Sequence, residues 1–124
     1  MQDRLIGMEV QIEIEEDGTD RPPLLPPGRI IRRLIAPDRG DYYLVELRRP
    51  VTCLKAATGK EWQLFNLVLA TKFAGDPVER LVSRWHRQVI PVGIANYLEK
   101  PNQDDPTLDL SKVEYFATGT VNRI

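Results

Sequence analysis

Between residues 5 and 15 the chain reads Leu-Ile-Gly-Met-Glu-Val-Gln-Ile-Glu-Ile-Glu. Ile6, Met8, Val10, Ile12 and Ile14 alternate with Glu9, Gln11, Glu13 and Glu15. Successive side chains of a strand point to opposite faces, so this period of two predicts a strand with one buried and one acidic, wet face. Such half-covered strands belong to antiparallel sheets. Residues 16–28 carry Pro22, Pro23, Pro26 and Pro27 and predict a long loop, because each proline fixes φ and removes a backbone donor. Pro23-Leu24-Leu25-Pro26 has the loose spacing of a polyproline II ligand. An ordered loop whose two leucines cap the core is the better reading.

Residues 29–36 and 42–50 predict a hairpin. The first arm, Arg29-Ile30-Ile31-Arg32-Arg33-Leu34-Ile35, does not alternate cleanly, which predicts a bulge or two partly covered faces. Pro37-Asp38-Arg39-Gly40-Asp41 predicts the turn, with proline setting φ and Gly40 supplying a positive-φ position. Pro50 predicts the end of the second arm. Residues 58–73 fit two periods. Leu64, Leu67, Val68 and Thr71 mark a helix face; Phe65, Leu67, Leu69 and Phe73 mark a strand face. We take the strand, opened by a Thr58-Gly59 turn, because its neighbours read as sheet. Residues 76–88 predict the one helix: Asp76 caps, Pro77 takes the first turn, and Val78, Leu81, Val82 and Trp85 share a face. Residues 89–98 and Val113 to Val121 predict the last strands, joined by a polar connection over 99–111.

The elements predict a mainly β domain over 1–124. Five to six short strands would form a small, partly open antiparallel barrel, with one short helix at about 77–88. The order strand, long loop, hairpin, strand, short helix, strand is similar to small SH3-like barrels, at the level of architecture only. Fold likeness of this kind carries no function.

Composition supports a folded core. Leu, Ile, Val and Phe total 36 of 124 residues, well above the roughly one fifth below which chains remain disordered. Cys53 is the only cysteine and His86 the only histidine. An intramolecular disulfide and a Cys/His zinc site are thereby excluded, since structural zinc takes about four such ligands. No run approaches the roughly 18 apolar residues of a membrane span. No basic-then-apolar leader opens the chain. The expectation is a soluble, cytoplasmic domain without cofactor or metal.

The net charge is −1, but it is unevenly spread. Residues 1–20 hold seven acids and one base; residues 21–60 hold nine bases and three acids. Seven of those bases are Arg21, Arg29, Arg32, Arg33, Arg39, Arg48 and Arg49. Arginine forks suit phosphate and carboxylate better than lysine does. Arg32-Arg33 and Arg48-Arg49, with Tyr42 or Tyr43, are therefore candidate binding residues, able to offer phosphate contacts and a stacking ring. The competing reading neutralises them inside the fold, with Glu46 opposite Arg33 and the first-strand glutamates on the rest.

Catalytic patterns are missing from the sequence. No glycine-rich phosphate loop, nucleophile elbow or metal-binding helix motif occurs. A Cys53–His86 nucleophilic pair is conceivable, but a small buried thiol is the commoner use of a lone cysteine. Glu9, Glu13 and Glu15 lie in a row on one strand, whereas a divalent cation needs converging oxygens. The expected function is a non-enzymatic protein-binding module using an exposed sheet face or edge. RNA or single-stranded DNA binding through the basic hairpin of residues 29–49 is the alternative, and self-association is a third outcome of complementary edges.

Overall fold

A computed structural model of the chain describes residues 5–16, 24–55, 59–71, 92–98 and 104–123. Six strands run in the order β1 (Glu9–Glu16), β2 (Pro27–Leu34), β3 (Tyr42–Lys55), β4 (Lys60–Thr71), β5 (Val92–Tyr97) and β6 (Val113–Arg123). Each pairs antiparallel with the next, and β6 returns to β1, closing the barrel. The mainly β architecture matches the sequence pattern, and the barrel is closed rather than partly open. β6 makes the closure by serving both neighbours. Its residues from Val113 to Gly119 pair with β5, and those from Ala117 to Arg123 pair with β1. That stagger is the shear that closing a twisted sheet requires.

The first strand buries Val10, Ile12 and Ile14 completely. The alternation stops short of residue 6, however. Gly7 takes φ +87°, and the turn it makes buries Leu5 while leaving Ile6 41% exposed. Only Leu24 of the two loop leucines packs on the core; Leu25 is exposed. The predicted bulge in the first hairpin arm is present. The β2–β3 register shifts between Ile30 and Arg32, so Ile31 is the extra residue. The segment that fitted both periods is strand β4. Gly59 precedes it with φ +69°, a backbone that glycine adopts without strain. The predicted helix at 77–88 lies outside the described residues.

Two cores explain why several strands fail to alternate. The barrel interior holds Val10, Ile12, Ile14, Ile30, Tyr43, Val45, Leu67, Leu69, Ile94, Ala117 and Val121. A second cluster lies on the outer face: Leu34, Ala36, Leu44, Val68, Ala95 and Leu108. Leu44, Val68 and Ala95 are direct cross-strand neighbours in one row. The connection from Asp104 to Lys112 covers that row with Leu108, which is 1% exposed. Its backbone is tied down by Ile35 N–H to Pro106 O at 2.8 Å and Leu108 N–H to Ile35 O at 2.7 Å. Tyr43-Leu44-Val45 and Leu67-Val68-Leu69 therefore read as continuous apolar runs because both of their faces are covered.

Two turn expectations need correction. Gly40 does not take a positive φ; among the described glycines only Gly7 and Gly59 do. Arg39 fastens that turn instead, as described below. Pro50 does not end β3, which runs on to Lys55. It sits where the β3–β4 register shifts between Glu46 and Val51. A proline is tolerated at such a bulge because no ladder donor is needed there.

Candidate functional site

The five candidate binding residues do not converge. Arg32 is paired with Leu44 and Arg33 with Tyr43, near the turn. Arg48 and Arg49 lie beyond the opposite end of that ladder, which closes at Gly28–Leu47. Glu46 stands opposite Arg29, not Arg33, because the ladder closes at Leu34–Tyr42 and the Ile31 bulge shifts the register by one residue more. At about 3.4 Å per residue, the two arginine pairs are separated by more than 10 Å along the strand.

Most of these guanidinium groups have partners within the fold. Glu9 receives Arg29 Nη2 at 2.7 Å on one carboxylate oxygen and Arg48 Nη2 at 2.7 Å on the other. The two arginines hold the Glu9 carboxyl below its usual range, the hydrogen bond from Arg48 being the larger cause. Arg32 Nη1 donates to the Asp105 carbonyl at 3.1 Å, and Arg33 Nε donates to the Gly40 carbonyl. Arg49 is exposed at the bulge. Among the described residues, the acidic first strand thus neutralises part of the basic hairpin through a single glutamate.

Tyr42 belongs to a different constellation. Its hydroxyl donates to Asp38 Oδ2 at 2.6 Å, and the Arg39 guanidinium lies 5.5 Å from its ring centre. Arg39 Nη2 donates to Asp41 Oδ2 at 2.7 Å and to Thr71 Oγ1 at 2.9 Å, while Nη1 donates to the Thr71 carbonyl at 2.9 Å. Nε takes the second Asp41 oxygen. This fork ties the β2–β3 turn to the end of β4. The hydrogen bonds from Arg39 hold the Asp41 carboxyl below its ordinary range. Burial first, then the bond to Asp38, pushes the Tyr42 phenol up to about 12. The cluster borders a groove of about 620 Å³ on the outer face of β4, β5 and β6. Ala70, Gly93, Ala95 and Thr118 contribute to its lining, with Tyr42 and Tyr115 among the larger residues. The Tyr115 ring covers Gly93, where an added Cβ would lie 3.4 Å from Cε2.

A second feature is built from backbone. β3 and β4 are the longest strands, and they outrun their neighbours. β2 makes its last pair with β3 at Leu47, and β5 begins pairing with β4 at Leu67. The pairs from Val51–Leu64 to Lys55–Lys60 therefore form a two-stranded ribbon. Among the described residues, neither of its edges has a strand neighbour. Val51 and Leu64 pack its base on the barrel core. Thr52, Glu61, Gln63 and Phe65 are exposed, Phe65 at 54%. The β3 edge is flanked by Arg48 and Arg49 at the base and Lys55 at the far end.

The sequence pattern named Arg48 and Arg49 but not the edge between them and Lys55. Where a strand stops being paired depends on where its neighbours stop, and no local pattern records that. The groove was hidden for a similar reason, because its small residues come from three strands. Comparison with protein-family models, curated proteins and solved structures gives no match. Among the described residues no group of three or more His, Cys, Asp or Glu is placed to hold a metal ion. No described helix is long and apolar enough to cross a membrane. His86 and the Cys53 side chain lie outside the described parts of the structure, so the dyad has no geometry here.

Proposed function

We propose that the chain is a non-enzymatic protein-interaction module that receives an extended segment of a partner on its β3–β4 ribbon. The observation that carries this is the β3 edge over residues 49–55, which has no strand neighbour among the described residues. An unpaired strand presents backbone donors and acceptors at a fixed repeat, and adding a strand satisfies them. Among the described strands, the other free edge is that of β4 over residues 60–66 on the same ribbon, which carries the acid Glu61. A two-stranded ribbon is marginal by itself, and a third strand stabilises it. The lone cysteine suits a reducing compartment, and we place the module in the cytoplasm on that ground.

RNA or single-stranded DNA binding through residues 29–49 has less support. Arg29 and Arg48 share Glu9, and Arg32-Arg33 stand apart from Arg48-Arg49. A phosphate track needs neighbouring, uncommitted cations.

The test is selection from a displayed library of unstructured nine-residue peptides, followed by amide hydrogen exchange of the winning complex. The expected result is new protection over residues 49–55 and little change in β1 or β6. Protection confined to the Tyr42–Tyr115 groove, or no enrichment of any peptide, would refute the edge reading.

A further inference from the structure

The charges along the ribbon name the partner's chemistry. We propose that the segment received by the β3 edge is an acidic strand, with carboxylates towards both of its ends. This rests on the edge reading above and goes beyond it. Exposed Arg49 stands at one end of the open stretch, beside Arg48 with its bond to Glu9, and Lys55 stands at the other end. No acid lies between residues 47 and 60 of the chain. A strand laid beside this edge meets positive charge at both ends, and opposite charges across a strand pair are favourable while like charges repel.

The same arithmetic disfavours a second copy of the chain in the two registers that overlap the open edge most fully. Two β3 edges pairing antiparallel about the bond between Val51 and Thr52 would set Arg48 against Lys55. Pairing about Thr52 would set Arg49 against Lys55. Either register opposes like charges twice over the two-fold axis. Basic residues and Pro50 on an edge keep identical chains apart in this way, and the same charges admit a strand of opposite sign. The chain's own acidic strand is not available. β1 has β2 on one side and β6 on the other, so the acidic segment comes from another molecule.

The experiment uses the full chain and three fluorescent nine-residue peptides. All share a centre of alternating valine and threonine. Their two terminal positions at each end are glutamate, glutamine or lysine. Binding is read by anisotropy at low and physiological salt. The glutamate peptide is expected to bind about tenfold tighter than the glutamine peptide, a difference of about 1.4 kcal/mol, with the gap narrowing as salt rises. The lysine peptide should bind weakest. The double variant Arg49→Glu/Lys55→Glu should reverse the order, and its circular dichroism and urea midpoint show whether the fold is kept. Equal binding of all three peptides would overturn the charge proposal and leave edge addition standing. Binding of none would overturn both, and the edge would then be protected only. Submicromolar binding of single-stranded RNA at physiological salt, abolished by the same double variant, would assign these cations to phosphate instead. Should the double variant unfold, Arg49→Gln alone, at an exposed position, is expected to lower the glutamate peptide's affinity two- to threefold; an unchanged affinity contradicts the proposal.

Discussion

Single residues decide how tightly the barrel closes. At Gly119 an added Cβ would lie 1.8 Å from the Glu13 carbonyl oxygen and 2.8 Å from Ile94 Cδ1. Glycine is needed there for close approach of β6 to β1, not for an unusual φ. Gly119→Ala should cost at least about 3 kcal/mol, as overpacking against backbone does. Gly93→Ala, which meets only ordinary contacts, should cost under about 1 kcal/mol. Urea unfolding of both variants checks the contrast; equal costs would mean that the β1–β6 seam has room.

The Arg39 fork makes a pH prediction at the same scale. Asp41 is held below its ordinary value in the folded chain, so the unfolded chain binds its proton first as pH falls. Its contribution is complete above an ordinary aspartate value of about 3.9 and is lost as pH drops through the depressed folded value. Asp41→Asn should therefore cost about 1–3 kcal/mol at neutral pH and progressively less below about pH 4. Tyr42 acts at the other extreme. Its phenol keeps a proton up to about 12 in the fold, while an unfolded tyrosine loses it near about 10. The folded state binds more protons across that window, so stability falls as pH rises through it. Tyr42→Phe should flatten the fall.

The strands show how far pattern reading reaches. Val10, Ile12 and Ile14 were legible because β1 has one covered face, and period two survives only in that case. Leu44, Val68 and Ala95 were not, because the 104–112 connection covers an outer face that a sequence pattern treats as wet. Ile6 departs from the alternation because a positive-φ glycine between it and Met8 breaks the parity of the strand. The Ile31 bulge was legible in the broken alternation of β2, but its consequence for charge pairing was not. The ladder closes at Leu34–Tyr42, which moves the partner of Glu46 three residues towards the start of β2; the bulge adds the fourth, so Glu46 faces Arg29 and Glu9 holds Arg29 and Arg48. Leu108→Ala tests the second cluster at this scale. Loss of a fully buried leucine should cost about 2–4 kcal/mol, and it should raise amide exchange over Asp104–Lys112 before the barrel strands open. Simultaneous exchange throughout would mean that the connection is not a separable cover.

For the whole molecule, closure and charge act together. A barrel with every strand paired on both sides offers a partner side chains but no backbone; among the described residues, only the stretch where β3 and β4 outrun β2 and β5 offers both. The near-zero net charge conceals an acidic first segment and a basic second one that meet at Glu9, Arg29 and Arg48. That internal neutralisation predicts weak nucleic-acid binding, in the non-specific range of about 10⁻⁴–10⁻⁶ M at physiological salt. A titration with labelled single-stranded RNA and DNA at two salt concentrations checks it, and submicromolar affinity would contradict it.

Edge addition is tested most directly by nuclear Overhauser contacts between an unlabelled bound peptide and isotope-labelled protein. Antiparallel strands bring opposed α-protons of their non-hydrogen-bonded pairs close together, with Cα atoms about 4.5 Å apart. For the glutamate-ended peptide we expect a ladder of intermolecular α-proton contacts at alternate residues between Arg49 and Lys55, or the slanted contact pattern of a parallel strand over the same residues. Intermolecular contacts restricted to side chains lining the Tyr42–Tyr115 groove, with none to the β3 backbone, would contradict the account.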